Sequence, residues 1–211
     1  MPSALQTSLK RKTSGTTEKG FERARDILQA AREIFAAEGY GGLTMRRVAA
    51  QVGVSLSNVQ HYYKSKDMLV EALLLDSLDQ FQERIDAITA SMADAPRVDQ
   101  FMATIDMFLE ELGTPLMRGM FFESWALATR NKFASTVMEK MQSRERKAIF
   151  NLIRGLSPKI ADSEYMIRAA LIVAQIEGLM LFRTRNGPKK QPELEGLEEA
   201  ARQAVLRLAL D

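Results

Sequence analysis

The chain has 211 residues, no cysteine, one histidine, 46 % hydrophobic residues and a formal net charge of +2. This composition supplies an ample buried core, excludes disulfides and thiolate metal sites, and leaves a lone histidine without the partners of a metal or nucleophile site. The start MPSALQTSLKRK has no secretory h-region and no stretch nears the roughly 18 apolar residues of a membrane span, so a soluble cytoplasmic protein with no membrane partner is expected.

Residues 1–19 mix Ser, Thr, Gly, Lys and Pro without apolar periodicity and read as a flexible basic arm, with KRK at 10–12. A first helix is predicted from about Glu22 to Glu38, because Ile27, Ala31, Ile34 and Phe35 fall on one helical face; Gly39, Gly41 and Gly42 end it. A second starts at Thr44, whose hydroxyl can cap a free N–H, with Leu43 and Val48 placed as a hydrophobic staple and Gly53 as its stop. A third opens at Ser55 and reaches about Tyr62 with a thin apolar face, mainly Val59, and an opposite face of Ser57, Asn58, Gln60 and His61. Ser65 caps a long fourth helix ending near Met92. Further helical periods run from Pro96 to Leu112, from about Met117 to Asn131, and from about Phe133 to Arg154. The next runs from a Ser163 cap through a very apolar stretch to Phe182 and is ended by Gly187–Pro188; the last spans Leu194 to Leu210. With no strand pattern, repeat or phosphate-binding glycine run, the fold class is all-α, with nine or ten helices.

The second and third helices have the spacing of a helix-turn-helix. In that motif one helix crosses the DNA backbone and the next enters the major groove. Their close crossing favours a small residue, Ala49, and the turn favours glycine, Gly53, while Val52, Val54 and Val59 form an apolar wedge. Charge agrees: residues 1–66 carry 11 Lys+Arg against 5 Asp+Glu, and the remainder 18 against 22, a basic front on an acidic body. Ser55, Leu56, Ser57, Asn58 and Gln60 are candidate base readers. Thr44 and Lys66 sit at helix starts suited to phosphate, and at least one of Arg46 and Arg47 should face the DNA backbone. His61 suits phosphate contact or packing better than catalysis. Tyr62 is the expected phosphate-facing aromatic and Tyr63 the core one.

Over residues 21–75 the sequence resembles the tetracycline-repressor (TetR) family of bacterial transcription regulators. The resemblance rests on Ala30–Ala31, Phe35 and Gly39, on Thr44, on Val48–Ala49 followed by Gly53–Val54–Ser55, on Tyr62–Tyr63, and on Ser65–Lys66–Asp67 with Leu69. One departure is Gln60, where many relatives carry Tyr; Gln can pair two ways with adenine, so the operator sequence stays open. The resemblance implies an N-terminal three-helix DNA-binding head over 20–66 and a larger C-terminal helical domain over 67–211 for ligand binding and dimerisation. It also implies a homodimer that represses at a near-palindromic double-stranded DNA operator and is released by a small-molecule effector. No cofactor or metal is expected.

For the C-terminal domain the residues alone leave two readings, plain core or adaptable pocket. Met and aromatic side chains at helical spacing fill cores, yet methionine also suits an apolar ligand site. If the pocket implied by the resemblance exists, its candidates are Phe101, Met102, Phe122, Trp125 and Gln175, and its effector is largely apolar. Gln175 and Glu177 lie within a helix apolar nearly all round, so each requires a partner. That helix offers more apolar surface than one bundle layer covers, which makes it, with the helix at 133–154, the expected dimer interface; Ile172, Val173 and Ile176 are the candidates. An enzyme, such as a lipid-handling α-bundle, lacks a nucleophile elbow or a carboxylate–histidine constellation here. A helical adaptor is disfavoured by the basic head and polar third helix.

Overall fold

The computed structural model describes residues 18–185 and 195–211; most of the expected arm, including KRK at 10–12, and the Gly187–Pro188 break lie outside the described residues. Among the described residues there are nine α-helices and no strand, which is the expected all-α class. They are α1 (Glu18–Gly42), α2 (Met45–Val52), α3 (Leu56–Tyr62), α4 (Lys66–Ser91), α5 (Arg97–Leu112), α6 (Pro115–Ala128), α7 (Lys132–Ile153), α8 (Asp162–Arg185) and α9 (Leu197–Leu210). No helix among the described residues is long and apolar enough to cross a membrane.

Among the boundaries that differ from expectation, those at Gly39 and Ser163 have local reasons. Gly39 does not end α1 but kinks it: its backbone turns to φ 72°, ψ −176°, and helical structure resumes to Gly42. Ser163 lies within the first turn of α8 instead of capping it, because the N–H groups of Glu164 and Tyr165 donate to the Ala161 carbonyl at 3.0 and 3.1 Å.

Packing divides the chain into two units. The first comprises the chain up to Phe81 together with Pro115–Met141; the second comprises Gln82–Thr114 and Gln142–Asp211. The sequence division at residue 67 therefore falls inside the first unit, which also takes in the N-terminal part of α4 and the whole of α6.

In the first unit Ile27, Ala31, Ile34 and Phe35 of α1 do form one buried stripe, joined by Leu43, Val48, Ala49, Val59, Tyr63, Leu69 and Leu73, and by Met120 and Leu127 of α6. Each fully buried large side chain contributes on the order of 1.5–3 kcal/mol over its exposed state. The α1–α6 crossing is backbone to backbone: a Cβ at Gly119 would collide with the carbonyl oxygen of Ala36.

The second unit is built round Phe101, Ile105, Ile149, Ile153, Tyr165, Ala169, Ile172, Ile176 and Val205. The Tyr165 hydroxyl accepts from the Ser157 N–H at 2.7 Å and donates to the Ser157 carbonyl at 3.0 Å, which fixes the α7–α8 turn. Arg202 of α9 donates twice to Asp106 of α5, at 2.5 and 2.7 Å. Arg97 donates to the carbonyls of Asn151 and Leu152, satisfying free acceptors at the end of α7.

Candidate nucleic-acid interface

The turn between α2 and α3 is fixed at both ends by side chains the sequence singled out. Thr44 caps α2, its hydroxyl accepting from the Arg47 N–H at 3.2 Å. Gly53 closes α2 in the left-handed region at φ 72°, ψ 35°, a conformation that only glycine takes without steric cost. Ser55 caps α3 by accepting from the Asn58 N–H at 3.2 Å, and its hydroxyl also lies 2.9 Å from that of Ser57. Ser65 receives the Met68 N–H at the start of α4. Each such cap contributes about 1 kcal/mol.

Between these caps α3 is seven residues long and buries one of them, Val59. Ser57, Gln60 and His61 are exposed and, at i, i+3 and i+4, form one outward row; Lys64, beyond the end of the helix, is exposed as well. The arrangement joins a short helix, held rigidly by its ends, to a face of hydrogen-bonding groups that carries little packing. That is what reading base edges in a groove requires. Leu56 and Asn58 flank the row half-buried, and the Oδ1 of Asn58 is buried without a hydrogen-bond partner among the described residues. Tyr62 is half-buried, packed on the core and edge-on to the His61 ring at 5.2 Å. Tyr63 is the core tyrosine: its hydroxyl reaches the Ala24 carbonyl at 3.3 Å, and burial holds it protonated well above its ordinary pKa.

The cations are not equivalent. Arg46 is exposed on α2. Arg47, also exposed, forms a two-toothed ion pair with Glu38 of α1 and donates to the Gly42 carbonyl at 2.9 Å. Lys66 differs from the phosphate contact expected of it. Its Nζ turns inward, donates to the Tyr40 carbonyl and lies 3.6 Å from the centre of the Tyr40 ring. Burial there pulls its pKa down.

Around it a cluster missed by sequence reasoning holds the α1 kink. The Tyr40 hydroxyl donates to Asp67 at 2.5 Å, which raises its pKa to about 12, and the Tyr40 N–H donates to Glu123 of α6 at 2.7 Å. A Cβ at Gly39 would lie 2.8 Å from that Glu123 carboxylate, so the glycine makes room for the acid. The only signal available beforehand was Gly39 itself, read as a helix stop; nothing local connects it to a residue 84 positions later.

The other candidates are dispersed. Phe122 and Trp125 lie on α6 in the first unit, where Phe121 meets both rings edge-on at 5.5 and 6.1 Å. Trp125 Nε1 is buried and meets no acceptor among the described residues. Phe101, Met102 and Gln175 belong to the second unit; Phe101 is fully buried in its core, with Met102 packed partly buried against it, and Gln175 is half-buried.

On α8 the expected interface residues need correction. Ile172 and Ile176 point into their own unit's core, and Val173 is half-buried. The apolar side chains facing outward are Met166, Ile167, Leu171 and Leu181, with Ile167 63 % and Leu171 50 % exposed. Nearby, burial raises the pKa of Glu145 of α7, with the Glu177 carboxylate of α8 adding to the rise, and burial raises that of Glu177 itself.

The caps, the glycine turn and the outward polar row define a DNA-binding helix-turn-helix. Comparison with known proteins agrees: residues 27–73 match the family described as bacterial regulatory proteins, tetR family. An uncharacterised HTH-type transcriptional regulator in the dhlA 5′ region of Xanthobacter autotrophicus is 36 % identical over 162 residues, covering 72 % of this chain and 75 % of the relative. An HTH-type transcriptional repressor of Mycobacterium tuberculosis is 27 % identical over 170 residues, 74 % of this chain and 91 % of that one. Among solved structures, a putative TetR-family regulator from Mesorhizobium loti superposes with a TM-score of 0.68 at 21 % identity, over 91 % of this chain and 98 % of its own. A putative regulator from Saccharomonospora viridis, in complex with choline, has a TM-score of 0.65 at 20 % identity, over 87 % and 93 %. The chain belongs to the TetR family and is a transcriptional regulator, not an enzyme.

Proposed function

We propose that this regulator is a cytoplasmic repressor that binds a near-palindromic operator as a homodimer and is released by a small, largely apolar effector. The observation that carries the reading is the outward row of α3, where Ser57, Gln60 and His61 are exposed on a Ser55-capped helix that buries only Val59. Gln60 is the proposed base reader, with Ser57 beside it. Arg46, Tyr62, His61 and the helix starts at Thr44 and Ser55 supply backbone contacts. Leu56 and Asn58 flank the reader and set its depth in the groove. Lys66 is left out of the proposed contacts, because its ammonium turns toward the Tyr40 carbonyl and ring.

A single head makes too few contacts for specific binding, and a twofold dimer places two heads a DNA turn apart. The outer stripe of α8, Ile167, Leu171 and Leu181, supports this assembly, since an apolar patch of that kind marks an interaction surface. For the effector, the aromatic edge of α6 and the Nε1 of Trp125, which meets no acceptor among the described residues, suit an apolar molecule bearing one acceptor.

Selection of bound genomic fragments followed by footprinting tests the reading: it should return a near-palindrome with half-sites about one helical turn apart. Gln60→Ala should then cost roughly 1–3 kcal/mol at one operator position and spare the others. A selected site unchanged at every position removes Gln60 as reader.

A further inference from the structure

We propose that Glu38 is a positioning residue that withholds Arg47 from DNA, so that α2 presents one working cation, Arg46, instead of two. The inference rests on the reading that the α2–α3 face meets DNA.

Both terminal nitrogens of Arg47 reach Glu38, one to each carboxylate oxygen, and the first also reaches the Gly42 carbonyl at 2.9 Å. Both hydrogens of that nitrogen are thereby used, and the guanidinium is held flat against the α1–α2 turn. The hydrogen bond from Arg47 also holds the Glu38 carboxyl below its ordinary range, so the acid is ionised wherever DNA binding takes place. Toward a polyanion the pair has no net charge. Moving Arg47 onto a phosphate would exchange one charge-assisted pair for another and strand the Glu38 carboxylate beside the DNA backbone, where like charge repels it. Arg46, its neighbour on the same exposed turn, forms no such pair among the described residues.

The consequence is a specificity device. Phosphate contacts strengthen binding to all sequences alike, whereas base contacts discriminate. Neutralising one cation per head lowers non-specific affinity and leaves Gln60 a larger share of the total.

Titration of the full-length protein onto a random-sequence DNA duplex across a range of salt tests this, using the parent, Glu38→Gln, Arg47→Gln and the double variant. Circular dichroism confirms equal helix content. Glu38→Gln should steepen the dependence of log affinity on log salt by about 0.9 per head, the release expected for one further phosphate contact. Arg47→Gln alone strands the Glu38 carboxylate beside the DNA and should flatten the slope, whereas the double variant, which removes both charges of the neutral pair, should return to the parent slope. A merely structural pair would alter melting but not these slopes. The proposal fails if the double variant is flatter than the parent by a full contact, if Glu38→Gln leaves the parent slope unchanged, or if the double variant stays as steep as Glu38→Gln. A parent with no salt-dependent DNA binding overturns the interface reading and this one together.

Discussion

Helices α3 and α8 solve opposite problems. The seven residues of α3 bury a single side chain, so the helix is held by its caps and its glycine turn, and its outer face is free to be polar. The twenty-four residues of α8 are apolar on both sides: Tyr165, Ala169, Ile172 and Ile176 inward, Ile167, Leu171 and Leu181 outward. An element held by its ends exposes its chemistry, and local sequence shows what that chemistry is. An element held by burial shows only that something must cover it.

The sharpest way to break this contrast is a pair of neighbouring substitutions on α8. Ile172→Arg puts an unpaired charge into the core of the second unit and should cost several kcal/mol, seen as loss of cooperative thermal unfolding. Leu171→Arg, one residue away on the outer face, should leave the monomer folded and abolish self-association in sedimentation experiments. Equal damage from both would mean that α8 has no outward face.

The first unit has its own sensitive point. Gly119→Ala forces a methyl against the Ala36 carbonyl and should destabilise by about 1–3 kcal/mol in chemical denaturation, a large penalty for one carbon atom. An unchanged midpoint would show that the α1–α6 crossing can open without cost.

A pH series sharpens the description of α8 as a burying element. Burial, aided by the Glu177 carboxylate, raises Glu145 from the ordinary 4.5 to about 7. Between these values the folded state keeps a proton that the unfolded state has released, so stability falls as pH rises through that window. Glu145→Gln removes the titration. Its melting temperature should match the parent near pH 5 and exceed it increasingly up to pH 8. A constant difference across that range would place Glu145 in water.

The smallest expected effect lies in the head. Lys66→Ala should leave the salt slope of DNA binding unchanged, because the ammonium faces Tyr40, while lowering thermal stability modestly through the loosened kink. A slope reduced by about 0.9 per head would return Lys66 to the phosphate contacts.

These cases mark where sequence reasoning reached its limit. The caps at Thr44, Ser55 and Ser65, the Gly53 turn and the buried Val48, Ala49 and Val59 were legible because each is fixed by neighbours within four residues or so. The all-α class and the stripe of α1 followed from periodicity. Lys66 was misplaced because its partner, Tyr40, is 26 residues away, and a lysine at a helix start reads the same whether it turns in or out. Arg47 carried no sign of Glu38 for the same reason. On α8 an apolar helix with no polar face offers no phase from which to choose Ile172 or Leu171 as the inner residue.

At Gly119 nothing compressible separates α1 from α6. Contacts made through side chains absorb small displacements by changing rotamer, much as a gasket does, whereas two main chains in direct contact have no such freedom. Glu123, one turn further along α6, grips the Tyr40 N–H at the kink, so the same helix holds α1 at two points. Any sliding or tilting of α6 therefore reaches the root of the helix-turn-helix undiminished, as motion passes through a key fitted in its slot. The missing side chain at Gly119 makes this joint stiff, and any residue larger than glycine would have to wedge it apart.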